Sequence, residues 1–309
     1  MTPRSLHLLT LFSAFALAPF GARAADAPKT VEPVPLADRV FTFTNTMSNS
    51  TAVIGDDAVL LVDSGGSPEI AAQLRVAIAK LTDKPVRLLV DTHWHFDHVN
   101  GNEVFGAQGA TIVGHVAMRS RMREGRVTNA LPRFPAVAYD REELATPTVT
   151  FDRSLALHLG GQRIELVHPA IERAHTDGDV VVYFPERNIV HMGDLYFEGT
   201  YPFIDVAAGG SIAGMIAGCR EVLARIDDQT LVVPGHGPVT DKAHLEAFVA
   251  MLTDIDAKIA PLVLAGKTLA DVQVANPTAA HDAVWGKSFI SPDQFTEIVY
   301  NGIVAQRKQ

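Results

Sequence analysis

The sequence predicts an α/β protein, with strand and helix signals recurring in turn along the chain. Three observations carry that expectation. Short β-rich runs closed by turn residues fill residues 40–66. Residues 68–82 carry Ile70, Leu74, Ile78 and Leu81 at helical spacing, and 212–226 read as a second amphipathic helix. The run Val86 to Val90 is nearly all apolar and ends at Asp91, the pattern of a strand covered on both faces. Strands and helices mixed in this way form layers around a shared core.

Taken in order, Val40-Phe41-Thr42-Phe43 alternates as a strand. Ala52-Val53-Ile54 leads into the turn Gly55-Asp56-Asp57, and the strand Ala58 to Val62 is closed by Asp63-Ser64-Gly65-Gly66. Gly101 to Gln108 starts a helix, with Asn102 expected to fix its beginning, and Thr111-Ile112-Val113 is another strand. The stretch 116–147 holds Arg119, Arg121, Arg123, Arg126, Arg133 and Arg141 around Pro132 and Pro135, and reads as a helix followed by a long surface loop with a solvated charged face. Strands are expected at 148–151, 155–159, 163–167, 179–184, 188–192 and 230–233. From Asp241 the pattern is helical, with breaks at Pro261, Gly266 and Pro277.

Hydrophobic residues make up 47% of the 309 residues and charged residues 20%, which excludes disorder, collagen and coiled coil as the main description. The 35 acidic residues outnumber the 26 basic ones, for a net charge of −9. That balance argues against a nucleic-acid partner, whose phosphates call for positive charge. One cysteine, Cys219, rules out an internal disulfide and a multi-cysteine zinc site. Residues 1–24 read as a secretory signal peptide: Arg4 opens it, Leu6 to Leu17 is mostly apolar, and Ala22-Arg23-Ala24 fits a signal-peptidase site. Cleavage after Ala24 would leave residues 25–309 with a charge of −11, in the periplasm or secreted. The apolar stretch is shorter than the ~20 residues that span a bilayer, so no stable membrane insertion is expected after cleavage.

The 12 histidines are the unusual count. His93-Trp94-His95-Phe96-Asp97-His98 packs four metal-capable side chains into six residues, directly after the strand 86–90. Imidazole nitrogens and carboxylates suit zinc, and a catalytic site keeps an open position on the ion. On an extended loop His93 and His95 can face one ion, while Asp97 and His98, further round the turn, can face a second. Three more places offer ligands at strand ends or in sharp turns: His175 in His-Thr-Asp-Gly-Asp, Asp194 after Gly193, and His236 between Gly235 and Gly237. His115, His158, His168, His244 and His281 have no partner spacing and read as structural. His191, three residues before Asp194, is either structural or a partner that orients a ligand. Asp177 and Asp179 shape the turn around His175. Trp94 and Phe96 either pack inward or line the site's mouth. Tyr196, Tyr201 and Phe203 are either core or an apolar wall.

This set resembles the metallo-β-lactamase superfamily of zinc hydrolases, whose signature is His-x-His-x-Asp-His, a lone histidine, Gly-Asp after a strand, and Gly-His. The resemblance spans about residues 37–240, leaving a C-terminal helical extension at about 241–309. It implies an αββα sandwich of two mixed β-sheets flanked by helices. It also implies two zinc ions per chain: His93, His95 and His175 on the first, Asp97, His98 and His236 on the second, and Asp194 between them. Well-known β-lactamases of the family carry cysteine or serine at the Asp194 position, and Cys219 does not match that ligand, so the set is closer to the general hydrolase pattern. The implied chemistry is attack by a metal-activated hydroxide on a carbonyl carbon, with Asp97 orienting it.

Export makes a β-lactam the first expected substrate, and a thioester, lactone or other ester the second. An iron-dependent dioxygenase of sulfur compounds is a different class, disfavoured by the complete second ligand set. A non-catalytic metal-binding accessory protein is the third reading. In each enzymatic case the partner is a small molecule.

Overall fold

The computed structural model describes residues 30–124, 142–170 and 173–307. The expected leader, and Arg126, Arg133 and Arg141 of the arginine-rich stretch, lie outside the described residues.

Two mixed sheets lie face to face. The first has seven strands in sequence order: β1 (Glu32–Ala37), β2 (Val40–Thr46), β3 (Ser48–Ile54), β4 (Val59–Val62), β5 (Val86–Val90), β6 (Thr111–His115) and β7 (Val149–Phe151). β1 to β4 pair antiparallel as successive hairpins, and β4 to β7 pair parallel. The second sheet runs β12 (Leu231–Val233), β11 (Ile189–His191), β10 (Val181–Phe184), β9 (Gln162–Val167), β8 (Ser154–Leu159), with only β11 and β12 parallel.

The period of two along each strand explains the layering. In β4, Leu60 and Val62 face the second sheet, where they meet Ile164, Leu166, Val182 and Phe184. Val59 and Leu61 face outward, onto Ala71, Leu74 and Ile78 of α1 (Pro68–Ala79) and Phe105 of α3 (Asn102–Gly106). The second sheet's outer face buries Val181, Val190 and Val232 under α6 (Ile212–Leu223), α7 (Lys242–Leu264) and α10 (Pro292–Gln306), through Met215, Phe248, Ile255 and Phe295. The result is the αββα sandwich. The four-residue helices α2 (Phe96–Val99), α5 (Glu142–Ala145) and α9 (Asp282–Trp285), with α4 (Val116–Arg123) and α8 (Leu269–Val274), complete the helices of the described residues. None of them is long and apolar enough to cross a membrane.

Three local expectations are corrected, and one strand was not among them. α7 runs through Pro261 and ends at Leu264, because Pro261 lies in its last turn and Ile255, Ile259 and Val263 stay buried on both sides of it. β5 is fully buried only at Leu89 and Val90; its first residues reach past the covering layer and leave Arg87 exposed. Asn102 does not cap α3. Its amide donates to Asp91 (2.8 Å) and to the Ala145 carbonyl (2.8 Å), while its oxygen accepts from Ser64 Oγ (2.7 Å), tying three loops together beneath the strand ends. β1 has no counterpart among the expected strands: it carries Pro33 and Pro35, which an edge strand tolerates because its outer side needs no donor.

Candidate metal centre

The four ligand-bearing segments all leave the carboxyl ends of strands or the turns beside them. After β5 the chain bends through Thr92, His93 and Trp94, is extended at His95 (φ −68°, ψ 146°) and then winds into α2, which carries Asp97 and His98. The turn holding His175 is fixed by Asp179, which accepts from the backbone N–H of His175 (2.8 Å) and Thr176 (2.9 Å) and from Thr176 Oγ1 (2.6 Å). Asp194 sits in a single 3₁₀ turn after β11, entered through Gly193 at φ +50°, where a Cβ would lie 2.7 Å from the Thr92 side chain. His236 follows β12 and precedes Gly237 at φ +99°. At Gly235 a Cβ would stand 2.0 Å from Asp194 Oδ1, so only glycine leaves that carboxylate its place.

These segments bring all seven expected ligands together in two groups that share Asp194. In the first, His95 Nδ1 lies 3.0 Å from His93 Nε2 and 2.9 Å from His175 Nε2. Asp194 Oδ2 stands 3.5 Å from His175 Nε2 and 3.7 Å from His93 Nε2. In the second, Asp194 Oδ1 is 3.0 Å from His98 Nε2 and 3.4 Å from His236 Nε2. Asp97 Oδ2 is 3.2 Å from His236 Nε2 and 3.8 Å from His98 Nε2. Two ligands held at ~2.0–2.1 Å on a tetrahedral zinc stand roughly 3.3 Å apart, so both groups have the spacing of a coordination shell.

The opposite ring nitrogens decide which atoms face the centre. His93 Nδ1 meets Thr92 Oγ1 (3.1 Å), His95 Nε2 meets Asp205 Oδ2 (3.1 Å), His98 Nδ1 meets Asp63 Oδ2 (2.7 Å) and His175 Nδ1 meets the Phe203 carbonyl (2.8 Å). Each of these nitrogens donates outward, so a neutral ring turns a bare lone pair inward. In the first group three such lone pairs converge with no proton left to separate them. In the second, His98 Nε2 and Asp194 Oδ1 are buried without a hydrogen-bond partner. Converging lone pairs and orphaned buried atoms are what a pair of bound cations would satisfy, and the residues fit that group.

Charge divides the two groups. Burial, reinforced by the neighbouring His98, holds the His93 ring well below the ordinary histidine range, and burial brings His175 down to about 4. His236 behaves oppositely: burial opposes its charge, but the Asp194 and Asp97 carboxylates hold it at about 10. His98 is also raised against its burial, by Asp194, Asp63 and Asp97. Asp194 is held well below the carboxylate range, its burial outweighed by His236 and His98.

Asp63 and Asp205 were not among the expected site residues. Asp63 stands at φ +57° at the end of β4, fully buried, and also accepts from Thr92 N (2.8 Å) and Thr92 Oγ1 (2.8 Å). A polar residue closing the all-apolar strand β4 was its one sequence signal. Asp205, 110 residues from His95, had none. The remaining histidines lie apart from the ligand groups. His115 and His168 stack on each other at 4.0 Å, His244 pairs with Asp241, His281 with Asp254, and His158 is exposed on β8. His191 Nδ1 meets Thr51 Oγ1 (3.0 Å), and its buried Nε2 lies 3.9 Å from Asp63, behind His98. Asp177 pairs with Arg121. Tyr196 and Tyr201 are fully buried core, as is Trp94 nearly so, whereas Phe96 and Phe203 line the mouth.

The family model of the metallo-β-lactamase superfamily matches residues 43–236. Among individual proteins, the chain is 29% identical over 203 residues to the 2,4-dinitroanisole O-demethylase subunit alpha of Nocardioides sp., covering 65% of this chain and 56% of that one. It is 23% identical to a linear primary-alkylsulfatase of a Pseudomonas strain, covering 66% of this chain and 44% of the relative. The chain thus spans about half the length of these two relatives. A metallo-β-lactamase type 2 of Bacillus cereus is 25% identical over 198 residues, covering 64% of this chain and 70% of its own. A solved metallo-β-lactamase from Pontibacter korlensis superimposes with a TM-score of 0.59 at 24% identity, covering 73% of this chain and all of its own, a likeness of fold.

Proposed function

The chain belongs to the metallo-β-lactamase superfamily of metal-dependent hydrolases, and from that premise we propose that it is an exported dinuclear zinc enzyme hydrolysing a carbonyl substrate, with β-lactam ring opening the first class to test. The observation that carries the reading is Asp194, whose two oxygens face different ligand groups. The all-histidine-and-carboxylate donor set suits zinc. The motive for export is the leader-like pattern of residues 1–24.

Two dications held by these groups would supply a water of pKa ~7 and an electrophile for the carbonyl oxygen. The chain supplies the rest. Asp97 lines the pocket above both groups, and its Oδ2 is within hydrogen-bond reach of His236 Nε2. From there it would orient the attacking water. His95, held by Asp205, and His98, held by Asp63, keep their ring planes fixed while the substrate changes shape. The buried wall of Phe197 and Phe203 keeps bulk water from one side of the site.

Ester, lactone or thioester hydrolysis is the second reading, since the same two ligand groups can serve any of these carbonyls. The test is a hydrolysis screen of the zinc-loaded protein against β-lactams, lactones, aryl and alkyl esters and thioesters, with metal analysis on the same sample. Two zincs and turnover of one carbonyl class are expected. A fully loaded protein inert to every class would overturn the proposal, and a single iron would move the reading to the dioxygenases.

A further inference from the structure

We infer that the pocket over the two ligand groups is an aromatic clamp for an aryl group of the substrate, with Phe289 its specificity-determining wall. The inference rests on the hydrolase reading for its chemistry and on four rings for its selectivity. About 50 Å³ of cavity lies over the ligands and opens to solvent, and Phe96, Phe197, Phe203 and Phe289 are four of the eight described residues that line it. They come from four separate parts of the chain: the first residue of α2, the loop after Asp194, the loop leading to Asp205, and the segment between α9 and α10.

The rings are arranged around the ligands. Phe197 stacks on His236 (5.1 Å between centroids, 17° between planes). Phe203 lies 5.7 Å from His95, over the other group. Phe289 closes the side next to His236, 6.2 Å from that ring and 6.4 Å from Phe197. Phe197 and Phe203 are buried, whereas Phe289 keeps 41% of its surface exposed while the next residue, Ile290, is fully buried. The backbone at Phe289 is thus anchored and its ring stands at the rim. A ring inserted here meets aromatic faces and edges on several sides, the geometry in which aromatic groups attract beyond simple burial.

Phe289 lies outside residues 43–236, the part matched by the family model, so this wall is added by the chain's C-terminal helices and not by the shared core.

The probes are hydroxamates, which chelate zinc with or without a ring. Their affinities for the zinc-loaded full chain are read by calorimetry, beside hydrolysis of phenyl acetate and ethyl acetate. Benzohydroxamate is expected to bind roughly tenfold tighter than acetohydroxamate. In Phe289→Ala the ratio should fall toward one, while Val284→Ala, on the exposed surface of α9, should keep it. The same ring preference should appear as faster phenyl ester turnover. Equal hydroxamate affinities, or a ring preference unchanged in Phe289→Ala, overturn the clamp. An intact, Phe289-dependent ring preference in a protein that hydrolyses nothing supports the clamp and overturns the hydrolase reading alone.

Discussion

Replacing Asp194 with asparagine keeps the size of the side chain and removes one charge from the point where the two ligand groups meet. One carboxylate oxygen lies 3.0 Å from His98 Nε2, and the other lies 3.5 Å from His175 Nε2, so a single substitution reaches both groups. Two dications at the ~3.5–4 Å of two-metal sites would repel strongly, and this carboxylate would be the anion between them. At an effective dielectric near 20, one unit charge about 4 Å from another is worth ~4 kcal/mol, and twice that against a dication. Water and the remaining ligands recover much of it. A floor comes from outer-sphere partners, whose removal costs about 10–100-fold in metal affinity; a shared inner carboxylate must cost at least the upper end. The second ion should therefore bind Asp194→Asn about 100-fold or more weakly, or ~2.7 kcal/mol. The first group, three histidine nitrogens converging at 2.9–3.0 Å, should still hold its ion. Competition titration with a chromophoric chelator, elemental analysis after dialysis and thermal melts of the same samples read this out. Asp194→Ser belongs in the same series; it should lower overall hydrolysis and raise the β-lactam share of what remains. Two zincs held at wild-type affinity in Asp194→Asn, with unchanged activity, would refute the bridging role and leave Asp194 as a turn residue.

Asp205→Ala should weaken zinc at the first group by about 10–100-fold by freeing the His95 ring, and nitrogen-edge NMR of His95 should show its tautomer no longer fixed; an unchanged affinity would mean the pair only packs. Gly235→Ala should cost ~1–3 kcal/mol in denaturant unfolding and release the second ion, since its Cβ would overlap Asp194 Oδ1 at 2.0 Å; an unperturbed two-zinc protein would count against the close approach. Burial and the stacked His168 depress the His115 pKa below its unfolded value of ~6.5, so the unfolded chain binds the extra proton. The stability tied to a neutral His115 is therefore present above about pH 6.5 and is lost as pH falls toward the depressed folded value. Melting temperatures should drop more steeply on acidification in the wild type than in His115→Gln, and parallel curves would contradict this sign.

The part of the site legible in the sequence is the part written in consecutive residues. His93 to His98 announces a metal because four donors in six positions have few other uses, and Asp194 and His236 are marked by glycines at strand ends. The strands showed for a similar reason: β4 is apolar at every position because alternate residues face different layers. What stayed hidden depends on tertiary neighbours. Asp205 looks like any loop aspartate until the fold carries it to His95. Asn102 looked like a helix cap, but its amide serves Asp91 and the Ala145 carbonyl. Pro261 reads locally as a stop, yet the apolar stripe of α7 outweighs the one hydrogen bond it forfeits.

The bond between His95 and Asp205 spans 110 residues, and the contact between His95 and His175 spans 80. Contacts this remote close late, because the chain must first lose the entropy of the long loops between them. Both sheets must therefore be stacked before either ligand group exists. A zinc finger uses its ion as the nucleus on which a short chain orders itself. Here the direction of causation would be reversed: the sandwich has its own apolar layers to condense on, and metal loading would follow on a finished protein. The availability of metal would then govern how many of the folded molecules are loaded, without deciding how many fold.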